Sequence, residues 1–552
     1  MKNRKKVVSL LLVAILIFSL ATPATAITWI SYSTQIPIVH VFGDGQALYA
    51  ADGTKLLEYR DLLGKINSDK DDSEEDEDKS EIYKSVANVL LPFLIEGLGT
   101  GNYDNYYKNL QKEIGDLFEG LLLDKDGNVS NGSGINPKNI QQMEDDLSRD
   151  SKAEKGYYGH CDYTFHYDWR LDPLETADKL YEYIERVKKV TGSKEVSLIG
   201  RCLGSSVVTA YVSKYGMDGI HGVGFNGGVV NGAEALSEPI SGKFKLDGNA
   251  VNRFLADCDA LGMFNVDSFI NETIELLSKA GVFSTIAGVT KETIYYTVVK
   301  GVTSALALST FFTFPSYWAG VKSEDYEAAK EYVFGKEGSE KRTEYAGLIA
   351  KLDNYNEKVR EKIPEIMNTI NDNGNLSIIA KYGVQIVPVI ESRNIIGDQF
   401  ASVKCASYGA TASDIYSTLS DEYIAQRVAE GKGKYISPDK QIDASTCQLP
   451  DQTWFLKGAK HSHWTQIEDE ILCTGINADR QLTVEDGPLS QFMIHNQAEN
   501  KAYEMTEENC DTYYWHADKR ADEPESDAAR LMFFVFALLK WLMSLINKIR
   551  AK

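Results

Sequence analysis

The chain has 552 residues, with 80 acidic against 58 basic side chains, a formal net charge of −22 and 43% hydrophobic residues. With 30 Tyr, 21 Phe and 7 Trp there is ample apolar surface for a core, which excludes global disorder. The acidic balance excludes a nucleic-acid binder, whose affinity needs clustered Lys and Arg against phosphate.

Residues 1–26 open with Lys2, Arg4, Lys5 and Lys6, continue as the apolar run VVSLLLVAILIFSLA, and reach the small-x-small triplet Ala24-Thr25-Ala26. This pattern predicts an export signal cleaved after Ala26. Its loss removes four positive charges and brings the remainder nearer to −26. An uncleaved anchor is the alternative, and either way the body leaves the cytoplasm. Seven cysteines then follow (Cys161, Cys202, Cys258, Cys405, Cys447, Cys473 and Cys510), so six could pair and leave one odd thiol.

IPIVHVFGDG (36–45) reads as a buried strand entering a Gly-rich turn. The segment 68–81 holds nine acids and two lysines, too much charge to pack, and reads as a solvated loop. DKDGN at 124–128 is no EF-hand, because the sixth and twelfth positions are Val129 and Ile135. Amphipathic spacing predicts a helix over 174–191. VSLIG (196–200), SSVVTAYVSKY (205–215, ended by Gly216) and IHGVGFNGG (220–228) give the strand–helix–strand alternation of a parallel sheet covered by helices. Long helical segments fill about 245–380. IAKYGVQIVPVI (379–390) and QTWFLKG (452–458) restore the strand pattern.

These elements predict an α/β-hydrolase fold: a mostly parallel central sheet flanked by helices, with a large helical cap insertion. The first part of the core spans 27–240, the cap 241–378 and the second part of the core 379–516. A linker (517–529, with Pro524) leads to the C-terminal helix 530–552. There Lys540, Ser544, Asn547, Lys548 and Ala551 form one narrow polar stripe on an otherwise apolar surface. No uncharged run there reaches spanning length, so an interfacial helix with a snorkelling Lys540 is expected at a membrane surface. A helix docked on the protein's own groove is the alternative.

Gly200-Arg201-Cys202-Leu203-Gly204 lies between a predicted strand and a predicted helix, the setting of a nucleophile elbow. In such an elbow the central residue is pushed out above the sheet, and flanking glycines let strand and helix approach. Cys202 would lie at a helix N-terminus, where the dipole favours negative charge. Its acyl intermediate would be a thioester, open to amines, thiols and alcohols as well as water. Nucleophile, acid, histidine is the chain order of this fold. Of eight histidines, His461 follows the strand QTWFLKG by two residues, with His463 its alternate. The pair has no companion ligands at metal spacing. Asp439, with Asp443 as alternate, precedes that strand in SPDKQIDAS (437–445). The Leu203 N–H and the Gly43-Asp44-Gly45 turn are the expected oxyanion donors.

At these residues the sequence resembles the lecithin:cholesterol acyltransferase and lysosomal phospholipase family. PIVHVFGDGQAL (37–48) is similar to its opening strand and oxyanion loop, FHYDWRLDP (165–173) to its Tyr-Asp-Trp-Arg segment, and VSLIGRCLGSS (196–206) to its elbow. The family nucleophile is serine where this chain has Cys202. SPDKQI resembles the acid loop and LKGAKHSHW the histidine loop, so the resemblance selects Asp439 and His461 and assigns an oxyanion amide to Asp44. It implies a capped site for a lipid acyl group, with no cofactor. The expectation is an exported Cys-His-Asp acyltransferase or (thio)ester hydrolase acting on lipid-like acyl substrates. The rival is a catalytically inactive, surface-displayed hydrolase-fold protein that binds lipid or a protein partner. In YDWR, Arg170 and Asp168 are expected to pair in a structural turn.

Overall fold

A computed structural model describes residues 36–43, 47–57, 100–150, 162–245, 311–461, 465–486, 490–496 and 501–511, with a few isolated positions between them. The signal segment, the acidic stretch 68–81, His463, Asp44, the linker and the C-terminal helix lie outside the described residues.

Eight strands form the central sheet: β1 (Ile38–Val41), β2 (Asp162–Phe165), β3 (Val196–Arg201), β4 (Ile220–Asn226), β5 (Asn375–Tyr382), β6 (Thr453–Lys457), β7 (Phe492–Asn496) and β8 (Lys501–Glu504). Their spatial order is β8-β7-β6-β5-β4-β3-β1-β2. Every neighbouring pair is parallel except β7 and β8. Helices cover a parallel sheet on both faces, and for that reason its inner strands read as continuous apolar runs rather than alternating ones. In β3, Val196, Leu198 and Ile199 are all fully buried, each contributing about 1.5–3 kcal/mol of transfer free energy.

Helix α1 (Pro173–Thr191) starts where Asp172 accepts the Leu174 N–H and Pro173 occupies the first turn. It stops at Gly192, whose φ of 71° ends the helix in the left-handed region. Helix α2 (Gly204–Tyr215) follows β3 directly. Between β4 and β5 lie α3 (Tyr326–Phe334), α4 (Ala346–Lys358) and α5 (Ile363–Asn373), the longest described helices of the expected cap. Helix α5 packs on α2 and β5, and α4 packs on α2, so this insertion seats directly on the elbow helix. After β6 comes α6 (Gln466–Ile476), started by a reciprocal capping box between Thr465 and Glu468.

Two expectations are corrected. The strand read at 379–390 is β5, which begins earlier, at Asn375, and ends at Tyr382. Beyond it Val384–Gln385 pairs instead with Ile396–Gly397 in a separate two-stranded ribbon. The chain thus turns away from the sheet and comes back. The room for three disulfides among the seven cysteines is also cut back, because Cys202, Cys405, Cys447 and Cys510 are free thiols. Cys161 and Cys258 lie outside the described residues.

The strand order supplies the reason for a site. From β1 the chain moves outward to β2, then returns to the other side of β1 as β3. In open parallel sheets, ligands bind beyond the C-terminal strand ends at such a switch point. The ends of β1 and β3 meet there.

Candidate active site

Strand β3 ends at Arg201, and Cys202 makes the turn into α2 with φ at +51°. A residue with a Cβ is held in this region only at a cost of about 1–3 kcal/mol, which the surroundings must impose. They do so by close approach. A Cβ on Gly204 would lie 2.0 Å from the Val41 carbonyl oxygen, and one on Gly200 would lie 2.8 Å from the Ser205 Cα. Only glycine lets β1, β3 and α2 converge so tightly, as the pentapeptide predicts. Cys202 N–H donates to the Asn226 carbonyl (3.3 Å) and Ser205 N–H to the Cys202 carbonyl (3.0 Å). The thiol is half-buried.

Beside it, a Cβ on Gly43 would lie 3.2 Å from Cys202 Sγ and 3.0 Å from the Leu203 nitrogen. The missing side chain leaves room next to both sulfur and amide. That is where an oxyanion bound by Leu203 would form. Asp44, the expected second donor, lies outside the described residues.

The turn after β6 delivers His461. Its backbone N–H donates to the Asp398 carbonyl (2.7 Å), and its Nδ1 lies 2.8 Å from Asp398 Oδ2. The Phe400 ring packs against the imidazole, with centroids 4.8 Å apart. Asp398 is fully buried, and its Oδ1 accepts the N–H groups of Phe400 (3.1 Å) and Ala401 (2.9 Å). Burial opposes a charged imidazole, yet the Asp398 carboxylate, and after it the Cys202 sulfur, hold His461 well above its ordinary value. Asp398 is pushed up by burial and pulled below its ordinary value chiefly by His461. His461 Nε2 is buried and makes no hydrogen bond of standard geometry. Cys202 is among the groups that raise this imidazole, after Asp398. Imidazole and carboxylate are in hydrogen-bond contact, and the Cys202 sulfur acts electrostatically on the same ring.

The expected acid is therefore corrected. Asp439 does not meet His461. Its Oδ2 accepts from Tyr382 Oη (3.0 Å) and pairs with Lys457 Nζ (3.1 Å), while its Oδ1 accepts from Ser437 Oγ (2.6 Å) and the Gln441 N–H (3.1 Å). The alternate, Asp443, is bound to Arg427 Nε (2.7 Å) and Tyr423 Oη (2.8 Å) and caps Ser445. Asp398 was missed because reading the strand through to 390 hides the excursion that ends at Gly397-Asp398. A signal existed: the acid belongs after the strand beside the histidine strand, and Asp398 is the carboxylate that follows the returning ribbon strand.

The Tyr-Asp-Trp-Arg segment is structural, as expected. Arg170 is fully buried and grips Asp168 with two bonds, Nε to Oδ1 at 2.9 Å and Nη2 to Oδ2 at 2.6 Å. Tyr167 Oη donates to the Phe42 carbonyl (2.5 Å), tying the segment to the end of β1 beside Gly43. Trp169 stacks on Tyr317 of the insertion at 5.9 Å. The segment joins the expected oxyanion loop to the cap.

Among the described residues, no helix is long and apolar enough to cross a membrane, and no three His, Cys, Asp or Glu side chains group as metal ligands.

A mostly parallel sheet in this order, with an elbow after β3, a carboxylate after β5 and a histidine after β6, defines an α/β-hydrolase fold. No family model matches the chain, and no curated protein matches it. Among solved structures, one described as "The crystal structure of Tle4-Tli4 complex" is similar at 12% identity, covering 93% of this chain and 98% of that chain, with a TM-score of 0.24. So low a score carries no argument, and the fold rests on the sheet itself.

Proposed function

We propose that the protein is an exported acyltransferase or (thio)ester hydrolase with a cysteine nucleophile, acting on lipid-like acyl substrates. The observations that support the reading are the strained Cys202 elbow after β3 and the His461–Asp398 pair, with Cys202 acting electrostatically on the His461 ring. In this scheme the Cys202 sulfur attacks the acyl carbonyl with its proton held on His461 Nε2. The Leu203 N–H stabilises the oxyanion. As the tetrahedral adduct collapses, His461 returns the proton to the leaving alcohol or thiol, and a thioester remains on Cys202. Water, an alcohol or an amine then gives its proton to His461 and attacks the thioester, and as the second tetrahedral adduct collapses His461 returns that proton to the departing Cys202 sulfur. Asp398 touches no reacting atom. It orients the ring through Nδ1 and balances the imidazolium.

The lipid-like substrate and the membership of the lecithin:cholesterol acyltransferase and lysosomal phospholipase family rest on the quoted motifs. The membrane surface rests on the apolar pattern of 530–552, and export on residues 1–26. The decisive experiment treats the protein with p-nitrophenyl butyrate and with a fatty-acyl thioester, then maps the adduct by mass spectrometry. One acyl group on Cys202, absent from Cys202→Ala, is expected. A thiol that iodoacetamide alkylates but neither donor acylates would sink the enzymatic reading and leave the lipid- or partner-binding one.

A further inference from the structure

Behind the reacting groups lies a second charged pair that acyl transfer does not use. Lys381, near the end of β5, and Glu468, in the first turn of α6, are 1% and 0% exposed and meet at 2.7 Å. Burying two charges is costly even when they pair, and an apolar pair of similar volume commonly serves stability as well or better. The arrangement around them indicates another use.

Glu468 Oε1 also accepts from Asn226 Nδ2 (2.8 Å), and the carbonyl of that same Asn226 accepts the Cys202 N–H (3.3 Å). Its Oε2 accepts from the N–H and hydroxyl of Thr465, both at 2.7 Å. Across the pair, the Lys381 ammonium reaches the carbonyls of His461 (3.3 Å) and Lys460 (3.5 Å). One buried path thus runs from the amide of the nucleophile to the carbonyl of the histidine. We propose that Lys381 and Glu468 are positioning residues that fix the separation between the Cys202 sulfur and the His461 ring. The charge of Lys381 also favours the ionised form of Asp398, adding to the larger effect of His461.

The proposal rests on the acyl-transfer reading, so its test uses two readouts. One is Cys202 acylation by p-nitrophenyl butyrate; the other is Cys202 alkylation by iodoacetamide across the neutral pH range, which needs no turnover. Lys381→Met should lower the acylation rate constant about 100-fold with KM little changed, and its alkylation profile should collapse onto that of His461→Ala. Lys381→Arg should recover part of both. Because Lys381→Met strands a buried carboxylate, the double variant Lys381→Met/Glu468→Met removes both charges. It should unfold cooperatively and still show the loss. A folded double variant that acylates and alkylates like the wild type overturns the proposal while the nucleophile stands. If the wild type never acylates, the enzymatic reading falls, and the alkylation profiles alone decide the positioning role.

Discussion

Two buried carboxylates near the ends of β5 and β6 make a natural comparison. Asp439 and Lys457 are both nearly inaccessible, and each is held by several partners. The carboxylate receives four donors, and the ammonium also reaches the Cys510 carbonyl (3.1 Å) and Asp511 (3.3 Å). Asp398 and His461 pair at 2.8 Å, but the far nitrogen of the imidazole lacks a standard hydrogen bond, and the Cys202 sulfur acts electrostatically on the ring. The first pair is closed on itself and the second is open on one side. Pairing a carboxylate with a cation therefore says little about chemistry, whereas what the cation's other face meets says a great deal.

That contrast can be broken most sharply by removing each carboxylate's charge. Asp398→Asn should slow acylation of Cys202 by about 10³–10⁴-fold, the size expected when an imidazole loses its orienting anion. Asp439→Asn should leave the rate within a few-fold. Equal losses in the two variants would erase the distinction. A second measurement inverts the order. Asp439→Asn leaves the ammonium of Lys457 buried without its main anion, and urea unfolding should show a loss of about 3–5 kcal/mol. A change below about 1 kcal/mol would mean that Asp511 carries Lys457 alone.

The smallest effect lies in pH. His461 is raised in the folded state, so its contribution to stability is complete below about pH 6.5, its unfolded value, and is lost as pH rises through the folded value. Asp398 is lowered, so its contribution is present above the ordinary carboxylate value of about 3.9 and is lost as pH falls through the lower folded value. Unfolding of wild type against Asp398→Asn should show the largest difference between those limits and a shrinking one toward alkaline pH. A difference independent of pH would mean that the pair is not ionised.

Much of the fold was legible because its determinants are local. Strands β1, β3, β4 and β6 and helices α1 and α2 lie where apolar runs, helical spacing and terminal glycines placed them. The elbow was legible for a related reason: Gly200, Cys202 and Gly204 fall within five residues of one another, although the close approach that holds the strained turn also involves Val41 of β1. His461 followed from its strand. Less was legible at β7, β8 and α6, where the apolar signal is short and the partners lie far along the chain. The acid was least legible. Asp439 looked right by motif and by order, and Asp398 stands where the chain returns from a ribbon that belongs to no sheet-forming pattern.

The amino-acid sequence by itself marked the α/β alternation, the tight bend that presents Cys202 and the histidine after β6, because each is signalled by residues within a short stretch of chain. Tertiary structure alone decided which carboxylate meets that histidine and which charges tie the elbow to its loop. Those contacts join residues 63, 242 and 80 positions apart (Asp398 with His461, Asn226 with Glu468, the Lys381 ammonium with the His461 carbonyl), and only the packed sheet brings such distant residues within hydrogen-bonding distance.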